Sequence, residues 1–170
     1  LGEGLLGTRT IECTFTTCGL CNPGNTCYLN AVLFALSKCC WLRQYLKDHL
    51  WICAGNKENH RPKCCVCMLA RDILRLVETE GHEAIVSEIV SDRGSWCPSF
   101  ANDGQQDAHE ALAELLKSCN KVESETSLSN LEDTPIWKLF RGNQRSVLTC
   151  GNCKHNFGRE LEKTNVEPFL

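Results

Sequence analysis

The sequence predicts an α+β fold, in which a mainly helical part comes first and a β part begins near residue 136. Two observations predict it. Apolar residues recur at helical spacing in stretches between residues 27 and 119. After Pro135 the spacing changes to short apolar runs separated by turn residues, which is typical of strands. The 170 residues, 42% hydrophobic and 23% charged, are enough for a folded core.

The first helix is predicted to begin at Cys27. Residues 1–18 are expected to form an extended lead-in, and a turn-rich loop follows from Gly19 to Thr26. The hydroxyl of Thr26 is a candidate N-cap for the helix. One face of the helix is apolar and comprises Leu29, Val32, Leu33 and Leu36.

Two longer helices and a short one between them are predicted downstream of a polar loop at residues 53–63. The second helix runs from about Cys64 to Glu80, and a short helix is expected around residues 83–90. Another loop covers residues 91–104. Asp103 is expected to cap the third helix, with Gln106 three positions on as in a capping box.

The β part is predicted after a Ser- and Glu-rich connection at residues 120–134, which we expect to be mobile. Residues 136–140 and 145–149 are predicted to be strands, separated by a Gly142-Asn143 turn. The sequence Cys150-Gly151-Asn152-Cys153 then forms a tight knuckle.

Charge and hydropathy exclude two classes of partner. The formal net charge is −3 with no long run of one sign, so no nucleic-acid partner is expected. No apolar run approaches the ~20 residues that span a membrane, so no membrane partner is expected. The chain begins at Leu1 without a signal-peptide pattern, and we expect an excerpt from a longer intracellular protein of the cytoplasm or nucleus.

The chain contains 14 cysteines. A disulfide scaffold is one interpretation of so many. Three Cys-x-x-Cys pairs, which begin at Cys18, Cys64 and Cys150, favour metal or thiol chemistry in a reducing compartment instead.

Cys27 has a position that suits a nucleophile. A helix N-terminus stabilises a thiolate through its unpaired amides and partial positive charge. The preceding loop also offers amides and the Asn22 side chain, which could stabilise an oxyanion. A cysteine at a helix start is, however, more often a small buried residue, so the position alone does not decide the role of Cys27.

The loop and the helix start resemble the cysteine box of ubiquitin-specific proteases. The family pattern is Gly-Leu-x-Asn-x-Gly-Asn-Thr-Cys-Tyr-x-Asn, and the chain reads Gly19-Leu20-Cys21-Asn22-Pro23-Gly24-Asn25-Thr26-Cys27-Tyr28-Leu29-Asn30. The resemblance implies a papain-like cysteine protease fold, with Cys27 as nucleophile and Asn22 as oxyanion donor. The chain departs from the family at Phe34, where glutamine is usual.

A second stretch, Gln105-Gln106-Asp107-Ala108-His109-Glu110, resembles another signature of the same family. The resemblance implies that Asp107 and Glu110 hold the arginine-containing C-terminal tail of ubiquitin. A solvated charged face is the alternative. His109 is not expected to be the catalytic base but a packing or hydrogen-bonding residue. Ala111 replaces the usual phenylalanine.

The knuckle at residues 150–153 resembles a zinc-binding knuckle in the fingers subdomain of the same family. The resemblance implies that Cys150 and Cys153 supply two of the four ligands of a structural zinc. The other pair is expected further along, and His155 is an alternative ligand. One interpretation of Cys53, His60, Cys64 and Cys67, with Cys65 nearby, is a small extra zinc site. The alternative is that Cys67 is a buried core residue of the helix. Cys18 and Cys21 are expected to be ordinary residues.

The resemblance implies a thumb-like helical part at residues 19–135 and the start of the fingers at 136–170. The implied function is that of a deubiquitinase, which cuts ubiquitin from protein conjugates through an acyl-enzyme on Cys27. The alternative is a non-catalytic ubiquitin-binding scaffold. The family's catalytic histidine lies in a later Gly-His-x-x-Tyr-type motif, so we expect the 170 residues by themselves to be inactive.

Overall fold

A computed structural model describes residues 18–55, 64–79, 84–127, 134–142, 148–153 and 156–157. The chain divides into two compact units, Leu1–Leu112 and Ala113–Leu170. Of the lead-in expected over residues 1–18, residues 1–17 lie outside the described residues, and Cys18 is buried. The division into thumb and fingers stays a prediction. Among the described residues, no helix is both long and apolar enough to cross a membrane.

The first unit is helical. Its helices are α1 (Cys27–Ser37), α2 (Cys40–Gly55), α3 (Cys65–Glu78), α4 (Glu88–Ser91) and α5 (Arg93–Trp96), followed by a 3-10 turn at Pro98–Phe100 and the start of α6 (Ala108–Ser127). Helix α3 lies at the centre, because it packs against α1, α2 and α4. The predicted apolar face of α1 is confirmed, since Leu29 and Leu33 are fully buried and Leu36 is 5% exposed.

Helix α2 is absent from the sequence-based prediction, which placed Cys53 in a loop. The helix runs to Gly55, so Cys53 is helical. Its apolar pattern is irregular because Trp51 and Ile52 are exposed, while Leu42 and Leu46 are fully buried. Exposed apolar side chains obscure the 3.6-residue period that marks an amphipathic helix.

Asp72 of α3 fixes the start of α4. Its carboxylate is fully buried and accepts hydrogen bonds from the Ser87 hydroxyl (2.6 Å) and from the backbone amides of Glu88 and Ile89 (both 2.9 Å). Burial raises the pKa of Asp72, and these three donors oppose the rise. On the surface beside it, Arg71 forms a bidentate ion pair with Glu88.

The segment before α4 differs from the prediction. A helix was expected over residues 83–90, but Ile85 forms a parallel bridge with Leu20, and α4 begins only at Glu88. The predicted loop over residues 91–104 contains α5 and the 3-10 turn. Phe100 of that turn is buried and makes an edge-to-face contact with Tyr28 of α1, their ring centroids 5.8 Å apart.

Helix α6 is capped by a different residue from the one predicted. Asp103 was expected to cap it, but the helix begins at Ala108, and Asp107 Oδ1 accepts from the amides of His109 (2.6 Å) and Glu110 (3.3 Å). The helix also continues to Ser127. The prediction of a mobile connection is therefore wrong for residues 120–127, and residues 128–133 lie outside the described residues.

The second unit contains the rest of α6, helix α7 (Pro135–Phe140) and a two-stranded hairpin. Residues 136–140 were predicted to be a strand, and that prediction is wrong. Pro135 occupies the first turn, where its fixed φ suits a helix, and the Thr134 hydroxyl accepts from Trp137 N (3.2 Å) as an N-cap. These start signals outweigh the β preference of Ile136 and Trp137.

The hairpin pairs β1 (Leu148–Thr149) with β2 (Asn156–Phe157) in antiparallel register, with Leu148 opposite Phe157. Strand β1 agrees with the end of the strand predicted over 145–149, of which residues 145–147 lie outside the described part of the chain. Residues 151–153 form a turn, as the predicted knuckle requires.

Candidate active site

Cys27 is the first residue of α1, and its side chain is exposed as a free thiol. The opposite side of the helix is held in the core by its leucines. The thiol therefore sits on a rigid element at the end where unpaired backbone amides face outward. This arrangement presents a nucleophile to an incoming group without burying it.

Asn22 organises the loop that precedes the thiol. Its Oδ1 accepts three hydrogen bonds, from Gly24 N (3.3 Å), Thr26 N (3.1 Å) and the Thr26 hydroxyl (2.9 Å). Thr26 precedes the helix as predicted, but its hydroxyl makes no capping bond and donates to Asn22 instead. Asn22 is exposed, and with Oδ1 engaged as an acceptor its amide nitrogen Nδ2 is the donor that the side chain can offer to a substrate.

The loop turns through two residues with positive φ. Gly24 has φ 133°, which strongly favours glycine, and Asn25 has φ 47°, which asparagine tolerates better than most residues. The side-chain Nδ2 of Asn25 donates a hydrogen bond to the backbone carbonyl of Asp103 at 3.0 Å. Arg93 holds Asp103 in turn through a 2.5 Å ion pair. The nucleophile loop is thereby tied to the segment that leads into α6.

Three further hydrogen bonds anchor the other end of the loop. Asn30 of α1 donates to the Cys21 carbonyl at 3.1 Å. The Cys21 amide donates to Ile85 O, and the Ile85 amide donates to Gly19 O, both at 2.9 Å. Asn30 belongs to the motif that resembles the cysteine box, but its role was not predicted from the sequence, and neither were those of Ile85 and Arg93. The polar identity of Asn30 on a largely apolar helix was the available signal.

The two predicted carboxylates lie together at the start of α6. Asp107 and Glu110 are both exposed. Asp107 Oδ1 accepts the hydrogen bonds that cap the helix, so Asp107 has a structural role in addition to any binding role. His109 is also exposed, which leaves the hydrogen-bonding role of the two expected for it, packing or hydrogen bonding, as a prediction.

Cys150 and Cys153 flank the hairpin turn. Cys150 is half-buried and Cys153 is exposed. Hydrogen bonds from the backbone amides of Cys153 and Asn152, together with the Cys153 side chain, lower the pKa of Cys150. The pair fits half of a tetrahedral thiolate site, because two cysteines two residues apart supply two ligands.

Part of the extra zinc site predicted from the sequence is brought together in the structure. Cys53 and Cys67 lie beside His49, with their ligand atoms all within 4.8 Å of one another. His60, the histidine proposed for this cluster, lies outside the described residues. Cys18 is buried and Cys21 half-buried, and the thiol of Cys21 contacts the Ala84 carbonyl at 3.5 Å.

Residues 18–166 match the protein-family model described as ubiquitin carboxyl-terminal hydrolase. Among curated proteins, ubiquitin carboxyl-terminal hydrolase 23 of Arabidopsis thaliana is 31% identical over 159 residues, which is 89% of this chain and 17% of that protein. Ubiquitin carboxyl-terminal hydrolase 36 of Drosophila erecta is 32% identical over 149 residues, 81% of this chain and 13% of that protein.

A human relative carries a different description. Inactive ubiquitin carboxyl-terminal hydrolase 17-like protein 8 of Homo sapiens is 30% identical over 142 residues, which is 79% of this chain and 24% of that protein. The chain thus matches less than a quarter of the length of each of these three relatives.

Proposed function

Since the chain belongs to the ubiquitin carboxyl-terminal hydrolase family, we propose that it supplies the nucleophile of a cysteine-type deubiquitinase. The enzyme removes ubiquitin from protein conjugates and does not act on nucleic acid or lipid. The observation that carries the proposal is the exposed Cys27 thiol at the first residue of α1, behind a loop that Asn22 holds in shape.

Cys27 attacks the carbonyl carbon of the ubiquitin C-terminal residue as a thiolate. A carbon–sulfur bond forms, and the carbonyl oxygen becomes an oxyanion. The carbon–nitrogen bond to the conjugated lysine then breaks, and the amine leaves with a proton. Water hydrolyses the resulting thioester, which releases ubiquitin as a free carboxylate and restores the thiol.

Asn22 stabilises the oxyanion. The three donors on its Oδ1 orient the amide, so that Nδ2 keeps one position during the reaction. A donor held in advance stabilises the developing charge without reorganising, which is how oxyanion holes lower a barrier.

Asp107 and Glu110 bind the basic tail of ubiquitin. Their exposure at the start of α6 leaves them available to a partner. The free Oδ2 edge of Asp107 and the carboxylate of Glu110 are suitable acceptors for an arginine guanidinium.

Cys150 and Cys153 supply half of the ligands of a structural zinc in the fingers subdomain of the complete domain. Their thiolates would supply two of four ligands, and the zinc would stabilise the hairpin. Thiolate ligands and a thiol nucleophile both need reducing conditions, which supports an intracellular location.

A fluorogenic substrate made of ubiquitin with a C-terminal amide-linked dye tests the proposal on the full-length protein. We expect turnover by the wild type and none by Cys27→Ser. Cys39→Ser is the matched control, since Cys39 is a half-buried free thiol just beyond the other end of α1, and it should keep wild-type turnover. Turnover by Cys27→Ser would overturn the proposal.

A non-catalytic ubiquitin-binding scaffold is the second candidate, because one relative is described as inactive. The same assay separates the two functions when ubiquitin binding is measured beside it. Ubiquitin binding without turnover by the wild type would favour the scaffold, whereas turnover that depends on Cys27 excludes it.

A further inference from the structure

Four potential metal ligands converge between α2 and α3. His49 and Cys53 are four residues apart on α2 and so share one face of that helix. Cys64 is the N-cap of α3, and Cys67 lies in its first turn. The ligand atoms of His49, Cys53 and Cys67 lie within 4.8 Å of one another, and Cys64 Sγ lies 3.9 Å from His49 Nε2.

These separations suit a tetrahedral metal. Four ligands at zinc-to-sulfur distances of about 2.3 Å lie about 3.8 Å apart in a tetrahedron. The Cys64 and Cys67 side chains are hydrogen-bonded to each other, and so are those of Cys67 and Cys53. His49, Cys53 and Cys67 already lie close enough to share one ion, whereas Cys64, which is 3.9 Å from His49 Nε2, would have to move to complete the tetrahedron.

We propose that His49, Cys53, Cys64 and Cys67 form a structural zinc site that joins α2 to α3. The site is separate from the knuckle of Cys150 and Cys153, and it replaces the histidine considered from the sequence, His60, with His49. All four positions of the tetrahedron are filled by protein, which makes the site structural, since a catalytic zinc keeps one position open.

Burial supports a metal over a redox pair. Cys64 and Cys67 form a Cys-x-x-Cys pair at a helix start, as many redox motifs do. A redox thiol must reach its partner, however, and these two side chains are only 5% and 3% exposed. Cys53, Cys64 and Cys67 are all free thiols in the structure.

Hydrogen bonding and burial shift the pKa values of two cysteines in the cluster in opposite directions. Hydrogen bonding to Cys67 lowers the pKa of Cys64 against the effect of burial, and His49 adds to the lowering. Hydrogen bonding to Cys64, together with burial, raises the pKa of Cys67. Zinc binds cysteine as the thiolate, so zinc binding at these sulfurs would release protons.

The site has a clear use in the fold. Helix α3 packs against α1, which carries Cys27, and its Asp72 fixes the start of α4. A zinc ion between α2 and α3 would stabilise the scaffold behind the nucleophile. The polar residues 54–63 of the sequence join the two ligand pairs, so the ion also closes this connection.

Zinc content of the full-length protein, purified under reducing conditions and measured by mass spectrometry of the metal, tests the site. We expect Cys53→Ser to lose one zinc per chain relative to the wild type. Cys39→Ser is the matched control, a half-buried free cysteine one residue before α2, and it should lose none. Equal zinc content in the wild type and Cys53→Ser would overturn the proposal.

A second measurement keeps the test valid if Cys53→Ser fails to fold. In the Cys150→Ser/Cys153→Ser background, cobalt(II) replaces zinc, and sulfur-to-cobalt charge-transfer and tetrahedral ligand-field bands are recorded. The proposal expects both bands, and it expects Cys67→Ser in the same background to remove them. Absence of the bands in the background protein, or their persistence after Cys67→Ser, would overturn it.

Discussion

Asn22 uses the two ends of its side-chain amide for different purposes. Oδ1 accepts from Gly24 and Thr26 and shapes the loop, while Nδ2 is the proposed donor to the oxyanion. These two roles can be separated, because an aspartate in the same place keeps the acceptor and loses the donor.

Asn22→Asp should therefore fold and bind ubiquitin while losing catalysis. We expect kcat on the fluorogenic ubiquitin substrate to fall by roughly 10²-fold or more, since the donor is lost and a negative charge faces the oxyanion. Steady-state kinetics and a ubiquitin titration measure the two effects. Asn22→Ala is the contrasting variant, because it also removes the loop acceptor and should lower stability. An unchanged kcat in Asn22→Asp would exclude the role of oxyanion donor.

Glu123 is a buried carboxyl in the second unit. It is 3% exposed, and its Oε2 accepts from Ile136 N at 3.3 Å. Desolvation raises its pKa from 4.5 to about 7, and the hydrogen bond from Ile136 opposes the rise. Because the folded pKa lies above the unfolded one, the contribution of this group to stability is complete below pH 4.5 and is lost as the pH rises through 7.

Glu123→Gln removes this ionisation and should shift the pH dependence of stability. Between pH 5 and pH 8 the variant should gain roughly 2 kcal/mol of unfolding free energy relative to the wild type. Denaturant unfolding at the two pH values measures the change. Glu125→Gln, on the exposed side of the same helix, should give no comparable gain. A difference between Glu123→Gln and the wild type that does not vary with pH would contradict the raised pKa.

Helix α6 presents two carboxylates, one of which also starts the helix. Reversing the charge of Asp107 would disturb the cap and the binding face at once. Asparagine caps a helix about as well as aspartate, so Asp107→Asn keeps the cap and removes the charge. Glu110→Gln removes the second charge with no change of shape.

The double variant Asp107→Asn/Glu110→Gln should bind ubiquitin several-fold more weakly, because two acceptors for the basic tail lose their charge. Calorimetric titration in a Cys27→Ala background measures the affinity without turnover. Glu114→Gln, one turn further along α6, is the matched control and should keep wild-type affinity. Equal affinity of the double variant and the control would contradict the tail-binding role.

Helices with a clear apolar face were predictable from the sequence. The face of α1 and the central part of α3 follow the 3.6-residue period closely. Helix α2 escaped prediction because Trp41, Trp51 and Ile52 are exposed and break the pattern. The strand predicted at α7 is wrong because the Thr134 cap and Pro135 in the first turn outweigh the β preference of the apolar side chains that follow.

Residue types in the candidate site were predictable, but the contacts between them were not. The motif identified Cys27 and Asn22, yet the link from Asn25 to Asp103 spans 78 residues and depends on the fold. The choice of Asp107 over Asp103 as the cap of α6 follows from where that helix begins. In the same way, His49 lies beside Cys53 because α2 continues through Cys53, and the sequence pattern did not show this helix.

All of the proposed catalytic and tail-binding residues lie in the first unit of the molecule. Asn22, Cys27, Asp107 and Glu110 fall within Leu1–Leu112, whereas Cys150 and Cys153 fall within Ala113–Leu170. The first unit also contains the proposed zinc site of α2 and α3. Among the described cysteines of the first unit, Cys27 is the exposed one, and it lies on a helix whose other face is buried.

Covalent trapping of the nucleophile tests the proposed role of Cys27. Full-length protein is treated with ubiquitin that carries a thiol-reactive electrophile at its C-terminus, and the adduct is digested and mapped by mass spectrometry. We expect a single adduct on Cys27. It should form in the wild type and in Cys39→Ser but not in Cys27→Ser. An adduct on any other cysteine, or no adduct when ubiquitin binds, would contradict this role.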